Sequence, residues 1–244
     1  HVSLVGSEMC IRDSVYGNPC DVLALNQLSQ QYNFQIIYDA AHAFSIDVEK
    51  QSVLNYGAAS TLSFHATKIF HTVEGGAIVF KDRHNFEKAK EIINFGIKPG
   101  SGVCNVGINA KLNEYQAAVG LVNLGEIDNI LEHRAELFYQ YRTGLESLVE
   151  LPEWHPQANA NGAYMPILLK NEKQLKLVAS KLAESNIQSR HYFEPSLDKI
   201  FVNSHNYGTI NSVKASERVL CLPMHANLTI KDIKDVISKI KEIV

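Results

Sequence analysis

Two apolar strands that each end in polar residues constrain the fold of this chain more than any other feature. The first runs from Phe34 to Tyr38 and is followed directly by Asp39. The second, Ser60 to His65, alternates apolar and polar residues, as expected of a strand with one face on a core and one on a polar site. Strands that alternate with helical segments and end in polar loops predict an open α/β sheet, whose sites form at the carboxyl ends of the strands. We therefore expect Asp39 and the segment Ser63 to Lys68 to lie together.

Further elements are predicted around this sheet. Asp21 precedes apolar residues at helical spacing and is expected to cap a helix, and a third strand is predicted from Gly76 to Phe80. After a glycine-rich stretch, 96–107, one helix is predicted from Asn113. A separate long amphipathic helix follows and ends before Pro152, because proline cannot continue a helix.

From about Trp154 onward the order of predicted elements changes to that of a smaller α+β domain, with an irregular loop before its last strand. The elements are a strand at Ala163 to Leu169, a helix at Glu172 to Ser185, a strand at Gln188 to Phe193, a strand at Val219 to Leu222 and a helix at Thr229 to Ile243. The predicted domains are 15–125 for the sheet, 126–153 for the connecting helix and 154–244 for the small domain.

Charge and composition disfavour several functions. A formal net charge of −3 provides no basic field for a nucleic acid, and no apolar run approaches the roughly 18 residues of a membrane span. The cysteines lack paired metal-ligand spacing and the density of a disulfide scaffold, so reduced thiols in the cytoplasm are expected and no metal site is predicted. They are Cys10, Cys20, Cys104 and Cys221.

The first fourteen residues stand apart from the rest. The segment from Val2 to Ser14, with its core VGSEMCIRDS, resembles translated sequencing-adaptor read-through, so 1–14 is interpreted as a non-native segment. The alternative is a native edge strand, for which Val2, Leu4 and Met9 give only weak alternation.

Three motifs carry a resemblance to a known family. They are YDAAHAF at Tyr38–Phe44, SFHATK at Ser63–Lys68 with its continuation IFHTVEGGAIVF, and GINAKLNEYQAA at Gly107–Ala118. Together they resemble the sugar aminotransferases of the DegT/DnrJ/EryC1/StrS family, which depend on pyridoxal 5′-phosphate (PLP), and the similarity runs from about Val15 to the C-terminus. The resemblance implies a PLP-dependent transferase of fold type I, with a partial large sheet domain and a smaller C-terminal α+β domain.

Lys68 ends SFHATK, and the resemblance implies that it forms the Schiff base with PLP. Only a neutral amine attacks an aldehyde, and a partly desolvated lysine loses its proton readily. Once released, the same amine is placed to act as general acid and base. The structural alternative is a solvated lysine at a helix start.

Asp39 and His42 match two further family positions. The resemblance implies that Asp39 bonds the pyridine nitrogen, which keeps the ring an electron sink, and that His42 contacts the phenolic oxygen. The alternatives are a strand-end aspartate that caps a turn and a merely structural histidine. Ser45 stands where the family commonly has glycine, and we expect a slight backbone change without loss of chemistry.

Ser63 and Asn109 match the phosphate-binding positions of the family. The serine is implied to reach the cofactor phosphate of its own subunit, and the asparagine that of the neighbouring subunit, so the active unit is a homodimer. Each also has an ordinary explanation, Ser63 as a polar strand residue and Asn109 as a turn residue.

The small domain offers weaker signals. Arg190, His191 and Tyr192, in the segment RHYFEPSL, are implied substrate contacts, although they would equally well finish a strand. Gly75 and Gly76 are expected to let the chain pass close to the lysine segment, although a plain turn explains them nearly as well.

The activity implied by the resemblance is transfer of an amino group from L-glutamate to a nucleotide-linked keto-deoxysugar. Family members also have an N-terminal phosphate loop and an aromatic ring that stacks on the cofactor, and neither is found before Val15. We therefore expect a truncated fragment with exposed apolar surface. Two alternatives stay open: a dehydratase-type relative, against which Lys68 argues, and a non-catalytic PLP-binding fragment that only dimerises.

Overall fold

The computed structural model describes residues 9–201 and 209–244. Contacts between Cα atoms divide the chain into two compact units. We call one the sheet unit, which comprises the described residues up to 129 together with 155–159. The other described residues form the C-terminal unit. The domain limits given above stay a prediction.

The sheet unit is built on a four-stranded, mainly parallel sheet with two short hairpins beside it. Its strands are β1 (Met9–Asp13), β2 (Gln35–Asp39), β3 (Asp47–Val48), β4 (Gln51–Ser52), β5 (Ala59–Ser63), β6 (Gly76–Phe80), β7 (Ile97–Lys98) and β8 (Gly102–Val103). The main sheet has the order β1-β2-β5-β6, in which the first three strands are parallel and β6 is antiparallel. The carboxyl ends of β2 and β5 therefore meet at one edge, as the sequence predicts.

Strand β1 corrects one expectation. The adaptor-like interpretation of 1–14 disfavoured a strand, but residues 9–13 form an edge strand, the alternative named above, and pair in parallel with β2, with Asp13 opposite Asp39. The non-native origin of 1–14 stays a prediction. Strand pairing uses backbone groups, so a weak side-chain alternation does not preclude it. Residues 1–8, the other part of the adaptor-like segment, lie outside the described residues.

The helices of the chain are α1 (Val22–Tyr32), α2 (Arg83–Ile93), α3 (Glu114–Leu145), α4 (Glu172–Glu184), α5 (Leu197–Ile200), α6 (Ile210–Ser216) and α7 (Ile230–Ile243). Asp21 caps α1 as predicted, since its carboxylate accepts the N–H of Ala24 at 2.9 Å. Within the described part of the chain, no helix is both long and apolar enough to cross a membrane.

Helix α3 corrects a second expectation. Two helices are predicted between Asn113 and Pro152, and the structure has one of 32 residues. Gly120 and Gly125 lie inside it, but a glycine costs an α-helix only about 1 kcal/mol and does not break it. Residues 114–129 of this helix belong to the sheet unit and residues 130–145 to the C-terminal unit.

The C-terminal unit packs helices on a two-stranded antiparallel sheet of β9 (Met165–Leu168) and β10 (Val219–Leu222). The strand predicted at Gln188–Phe193 is wrong, because only Arg190 pairs there, through a single bridge to Cys221. The backbone turns at Tyr192, which ends the pairing. The predicted irregular loop contains α5 and α6, and its residues 202–208 lie outside the described residues.

Candidate active site

Asp39 ends β2 and holds the backbone on both sides of the strand end. Its Oδ1 accepts the N–H of Ala41 at 3.0 Å, and its backbone carbonyl accepts the N–H of Ser14 at 3.0 Å. The N–H of Ala40 in turn bonds the carbonyl of Thr61 on β5 at 2.9 Å. The carboxylate is therefore fixed at the carboxyl edge of the sheet, and the turn-capping use of aspartate is also present.

Lys68 lies in a tight loop between β5 and β6, which we call the lysine loop and define as residues 64–75. Two backbone bonds close it, from the N–H of Phe64 to the carbonyl of Gly75 and from the N–H of Thr72 to the carbonyl of Phe64, both 2.9 Å long. Inside the loop, the N–H of Lys68 bonds the carbonyl of His65 at 2.9 Å. The backbone position of Lys68 is thus set by an ordered turn.

An aromatic cluster joins the lysine loop to the segment after β2. Phe70 is 5% exposed and stacks on Phe44, with ring centroids 5.0 Å apart and an interplanar angle of 17°. Phe64 meets the same ring edge-on at 4.8 Å. Such aromatic pairs contribute about 0.5–1.5 kcal/mol each beyond the area they bury. The cluster therefore fixes the Lys68 loop relative to the turn that carries Asp39 and His42.

Glycine is required where the lysine loop returns to the sheet. Gly75 has a φ of 155°, and a Cβ there would lie 2.3 Å from Oγ1 of Thr72. A Cβ on Gly76 would lie 2.8 Å from the carbonyl oxygen of Leu62. The close passage to the lysine segment is confirmed for Gly75, whereas Gly76 passes close to β5.

Lys68, Asp39 and His42 influence one another electrostatically. Burial lowers the pKa of Lys68 below its usual value, and the carboxylate of Asp39 opposes that shift. The pKa of His42 falls to about 4, first through burial and then through the charge of Lys68, again opposed by Asp39. The structure thus brings together three of the residues that the motifs single out, and burial shifts the pKa of the Lys68 amine and of the His42 imidazole toward the neutral forms.

Ser63 and Asn109 lie in different segments of the sheet unit. Ser63 is the last residue of β5, and its Oγ accepts the N–H of His65 at 3.4 Å. Asn109 is exposed, and its side chain makes no hydrogen bond to any residue within the described ranges. The backbone around it is held firmly, because the N–H of Phe95 bonds the carbonyl of Ile108 and the N–H of Ala110 bonds that of Ile93, each at 3.0 Å.

The three residues implied as substrate contacts lie in the C-terminal unit. Arg190 places its guanidinium 5.8 Å from the centre of the Tyr192 ring, and its Nη1 donates to the Tyr192 hydroxyl at 3.4 Å. His191 bonds the backbone carbonyl of Ser216 through Nε2 at 2.6 Å. Their roles toward a substrate stay predictions.

Three residues of the site were not singled out from the sequence. Phe70 anchors the lysine loop, Asn123 of α3 bonds the carbonyl of His71 at 2.8 Å, and the backbone N–H of Tyr16 bonds Nδ1 of His42 at 3.2 Å. Only Phe70 left a signal, as an apolar residue two positions after Lys68. The other contacts join residues far apart in the chain and have no local signature.

The described residues contain no group of three or more histidine, cysteine, aspartate or glutamate side chains that could hold a metal ion.

A lysine loop and a strand-end carboxylate at the carboxyl edge of a mainly parallel sheet, with a smaller α+β unit after it, define a PLP-dependent transferase fold. The chain belongs to the DegT/DnrJ/EryC1/StrS aminotransferase family, whose model matches residues 8–241. The fold class and the resemblance stated from the motifs are therefore confirmed.

The chain is similar in sequence and in structure to several known proteins of this family. The chain is 39% identical over 236 residues to the dTDP-4-amino-4,6-dideoxy-D-glucose transaminase of Shigella dysenteriae, covering 93% of this chain and 64% of the relative. A crystal structure of a family aminotransferase from Brucella abortus superimposes with a TM-score of 0.87 at 22% identity, over 94% of this chain and 62% of the other. The structure of DesI in the presence of its TDP-sugar product gives 0.86 at 25% identity, over 94% and 60%. The chain thus spans less than two thirds of the length of these relatives.

Proposed function

We propose that the chain carries the lysine and carboxylate of a PLP-dependent aminotransferase site that moves an amino group from L-glutamate to a nucleotide-linked keto-deoxysugar. The observation that carries the proposal is that Asp39 ends β2 and the lysine loop follows β5, a parallel neighbour of β2, so that both lie at one edge of the sheet. Burial lowers the pKa of the Lys68 amine, and the charge of Asp39, the carboxylate proposed to bind the cofactor, opposes that shift.

The donors and acceptors present fit PLP. Asp39 provides a fixed carboxylate for the ring nitrogen, Lys68 an amine for the aldehyde and Ser63 a hydroxyl for the phosphate. His42 adds a neutral ring next to the same two charges. When bound, PLP supplies an aldehyde that condenses with amines and a ring that accepts electrons.

Lys68 has two tasks in this proposal. Its lowered pKa raises the fraction of neutral amine, which is the form that can bond a carbonyl carbon. With PLP bound and the donor amine in place, Nζ of Lys68 would be the group that takes up the proton from the donor Cα and returns it as general acid. The closed backbone of the lysine loop fixes the main chain from which that amine extends.

The name of one relative supports a particular acceptor. A 4-amino-4,6-dideoxy sugar, as in the name of the Shigella dysenteriae transaminase, is formed by amination of a 4-keto-6-deoxy sugar. We infer a dTDP-linked 4-keto-6-deoxyhexose as the acceptor of this chain. Arg190 and Tyr192 offer a cation and an aromatic ring for a nucleotide, and His191 is retained among the proposed substrate contacts.

A location in the cytoplasm stays a prediction.

A homodimer is part of the proposal. Apolar side chains on the first half of α3 and the segment before it face solvent, which is unusual for a monomer when they are this large and this many. They include Val106, Tyr115, Leu121 and Val122, exposed by 96%, 88%, 72% and 73%. Asn109, proposed to reach the phosphate of a second copy, is exposed in the same segment.

Sedimentation tests the dimer. Leu121→Glu combined with Val122→Glu is expected to convert a dimer to a monomer, because two charges would have to be buried in the interface. Leu177→Glu, on the exposed part of α4, serves as the matched control and is expected to leave the dimer intact. A parent chain that sediments as a monomer at every concentration contradicts the dimer.

The activity is tested with the chain, PLP, L-glutamate and dTDP-4-keto-6-deoxyglucose, followed by mass spectrometry of the sugar nucleotide. The expected product replaces the keto oxygen by an amine, and Lys68→Ala abolishes it. A chain that binds PLP but neither consumes glutamate nor forms the amino sugar supports the alternative of a non-catalytic, dimerising fragment.

A further inference from the structure

A backbone hydrogen bond defines the proton position on His42. The ring follows the end of β2, and its Nδ1 lies 3.2 Å from the backbone nitrogen of Tyr16, which donates its N–H to it. A ring nitrogen that accepts an N–H uses its lone pair and carries no proton of its own. In a neutral imidazole the proton must then be on Nε2.

The surroundings keep the ring neutral. Burial is the main cause that lowers the pKa of His42, to about 4, and the cationic Lys68 adds to it. Asp39 acts in the opposite direction but does not cancel the other two. Near pH 7 the ring therefore has one N–H donor rather than two.

Both partners of this bond are fixed by backbone geometry. Tyr16 has a φ of 61° and a ψ of 6°, a left-handed conformation that non-glycine residues seldom adopt. The turn is closed by bonds from the N–H of Gly17 to the carbonyl of Ser14 at 3.2 Å and from that of Asn18 to Val15 at 3.0 Å. On the other side, the N–H of Ala43 bonds the carbonyl of Ala40 at 2.9 Å and closes the turn around His42.

Asp39 is hydrogen-bonded to both turns. Its carbonyl accepts the N–H of Ser14 at the start of one turn, and its carboxylate accepts the N–H of Ala41 in the other. A left-handed residue costs about 1–2 kcal/mol. Such strain persists where the surrounding structure determines the conformation, and here it directs a single N–H at the ring.

We propose that the backbone N–H of Tyr16 is a positioning group that fixes His42 in the tautomer with its proton on Nε2. His42 then presents a hydrogen-bond donor to the ligand. The other tautomer would present a lone pair, which repels an anionic oxygen. The ligand part of this inference, a bond from Nε2–H to the phenolic oxygen of PLP, rests on the proposed function, whereas the tautomer itself does not.

Nitrogen NMR of the ¹⁵N-labelled chain without PLP tests the tautomer directly. Between pH 6 and 8, the ring of His42 is expected to show an unprotonated Nδ1 and a protonated Nε2. A coupling between the Tyr16 amide nitrogen and Nδ1, transmitted through the hydrogen bond, is also expected. His42→Gln assigns these signals by removing them.

A matched variant separates the backbone of Tyr16 from its side chain. Tyr16→Asn keeps the N–H and tolerates a positive φ, so the tautomer is expected to persist. The proposal is overturned by a proton on Nδ1, by exchange between the tautomers, or by loss of the signature in a folded Tyr16→Asn variant.

The ligand part has its own readout, the PLP dissociation constant. His42→Gln keeps an N–H donor and is expected to bind within a few-fold of the parent, whereas His42→Phe is expected to bind roughly tenfold more weakly. Equal binding by His42→Phe overturns the ligand part. If the NMR signature is present but neither the parent chain nor any variant binds PLP, the proposed function is wrong. The proposal about the His42 tautomer is then still supported.

Discussion

Asn123 of helix α3 donates its side-chain amide to the backbone carbonyl of His71, across 2.8 Å. The same helix meets the lysine loop at Gly120, where a Cβ would lie 2.9 Å from Cγ2 of the buried Thr72. Helix α3 thus contacts the lysine loop at His71 and Thr72, three and four residues after Lys68. The residue that makes this contact lies 55 positions after the lysine in the sequence, counted from position 68 to position 123.

Removal of that bond should loosen the loop. Asn123→Ala leaves the carbonyl of His71 without its donor, which costs about 1–2 kcal/mol of unfolding free energy and slows reaction of Lys68 with PLP. Denaturant unfolding and stopped-flow absorbance measure the two effects. Asn129→Ala, an exposed position on the same helix, should stay within about 0.5 kcal/mol of the parent. If both variants behave alike, the contact does not support the loop.

Ser45 occupies the position at which the family commonly has glycine, and its φ of 58° explains the preference. A side chain in the left-handed region costs about 1–2 kcal/mol, partly offset by the greater flexibility of glycine in the unfolded chain. Ser45→Gly should therefore stabilise the chain by about 0.5–1 kcal/mol in urea unfolding. Ser45→Ala, which keeps the strain, is the control and should not stabilise it.

His42 makes stability depend on pH. Its pKa is about 4 in the folded chain and 6.5 as a free group, so between these values the unfolded chain binds more protons and stability rises with pH. As the pH falls from above 6.5 to 4, His42 takes up a proton in the unfolded chain but largely not in the folded chain. This difference lowers the free energy of unfolding by about 3 kcal/mol.

Unfolding of His42→Gln measures this contribution. The variant should lose less stability than the parent between pH 7 and pH 4, since glutamine does not titrate. His84→Gln removes an exposed histidine on α2 and should follow the parent curve. Identical curves for His42→Gln and the parent would show that His42 titrates alike in the folded and unfolded chains.

Asp39 should control the chemistry rather than the fold. Asp39→Asn keeps an oxygen for the N–H of Ala41 but removes the charge, so the pKa of Lys68 falls further. An opposite charge shifts the pKa of its partner by about 1–3 units. Without the carboxylate, the fraction of PLP whose ring nitrogen is protonated should therefore fall about 10- to 1000-fold. The single-turnover rate with glutamate should fall by the same factor. Asp128→Asn, exposed on α3, should leave the rate unchanged. An unaltered rate in Asp39→Asn would remove this carboxylate from the site.

The sequence predicts those parts of this site that depend on a residue and its immediate neighbours in the chain. Asp39 at a strand end and Lys68 in a polar loop follow from alternation and from the parallel sheet, whose carboxyl ends lie on one edge. Ser45 departs from the family at a position where the structure shows a positive φ. In each case the physical requirement falls on the residue itself or on its immediate neighbours.

Other features depend on partners distant in sequence. The strand predicted at Gln188–Phe193 has suitable residues, but the turn at Tyr192 leaves a single bridge at Arg190. Strand β1 forms despite a weak pattern because β2 supplies the backbone partners. The contact between Tyr16 and His42 spans 26 positions, and a backbone donor carries no side-chain signature.

The central claim is that Lys68 is the amine that bonds PLP, and an absorbance titration of the purified chain with PLP tests it most directly. The visible band of lysine-bound PLP should appear in the parent and in Lys81→Ala, whose lysine is exposed, and should be absent from a folded Lys68→Ala variant. L-Glutamate should then bleach the band. A band of equal strength in Lys68→Ala would contradict the account, because another amine would then hold the cofactor.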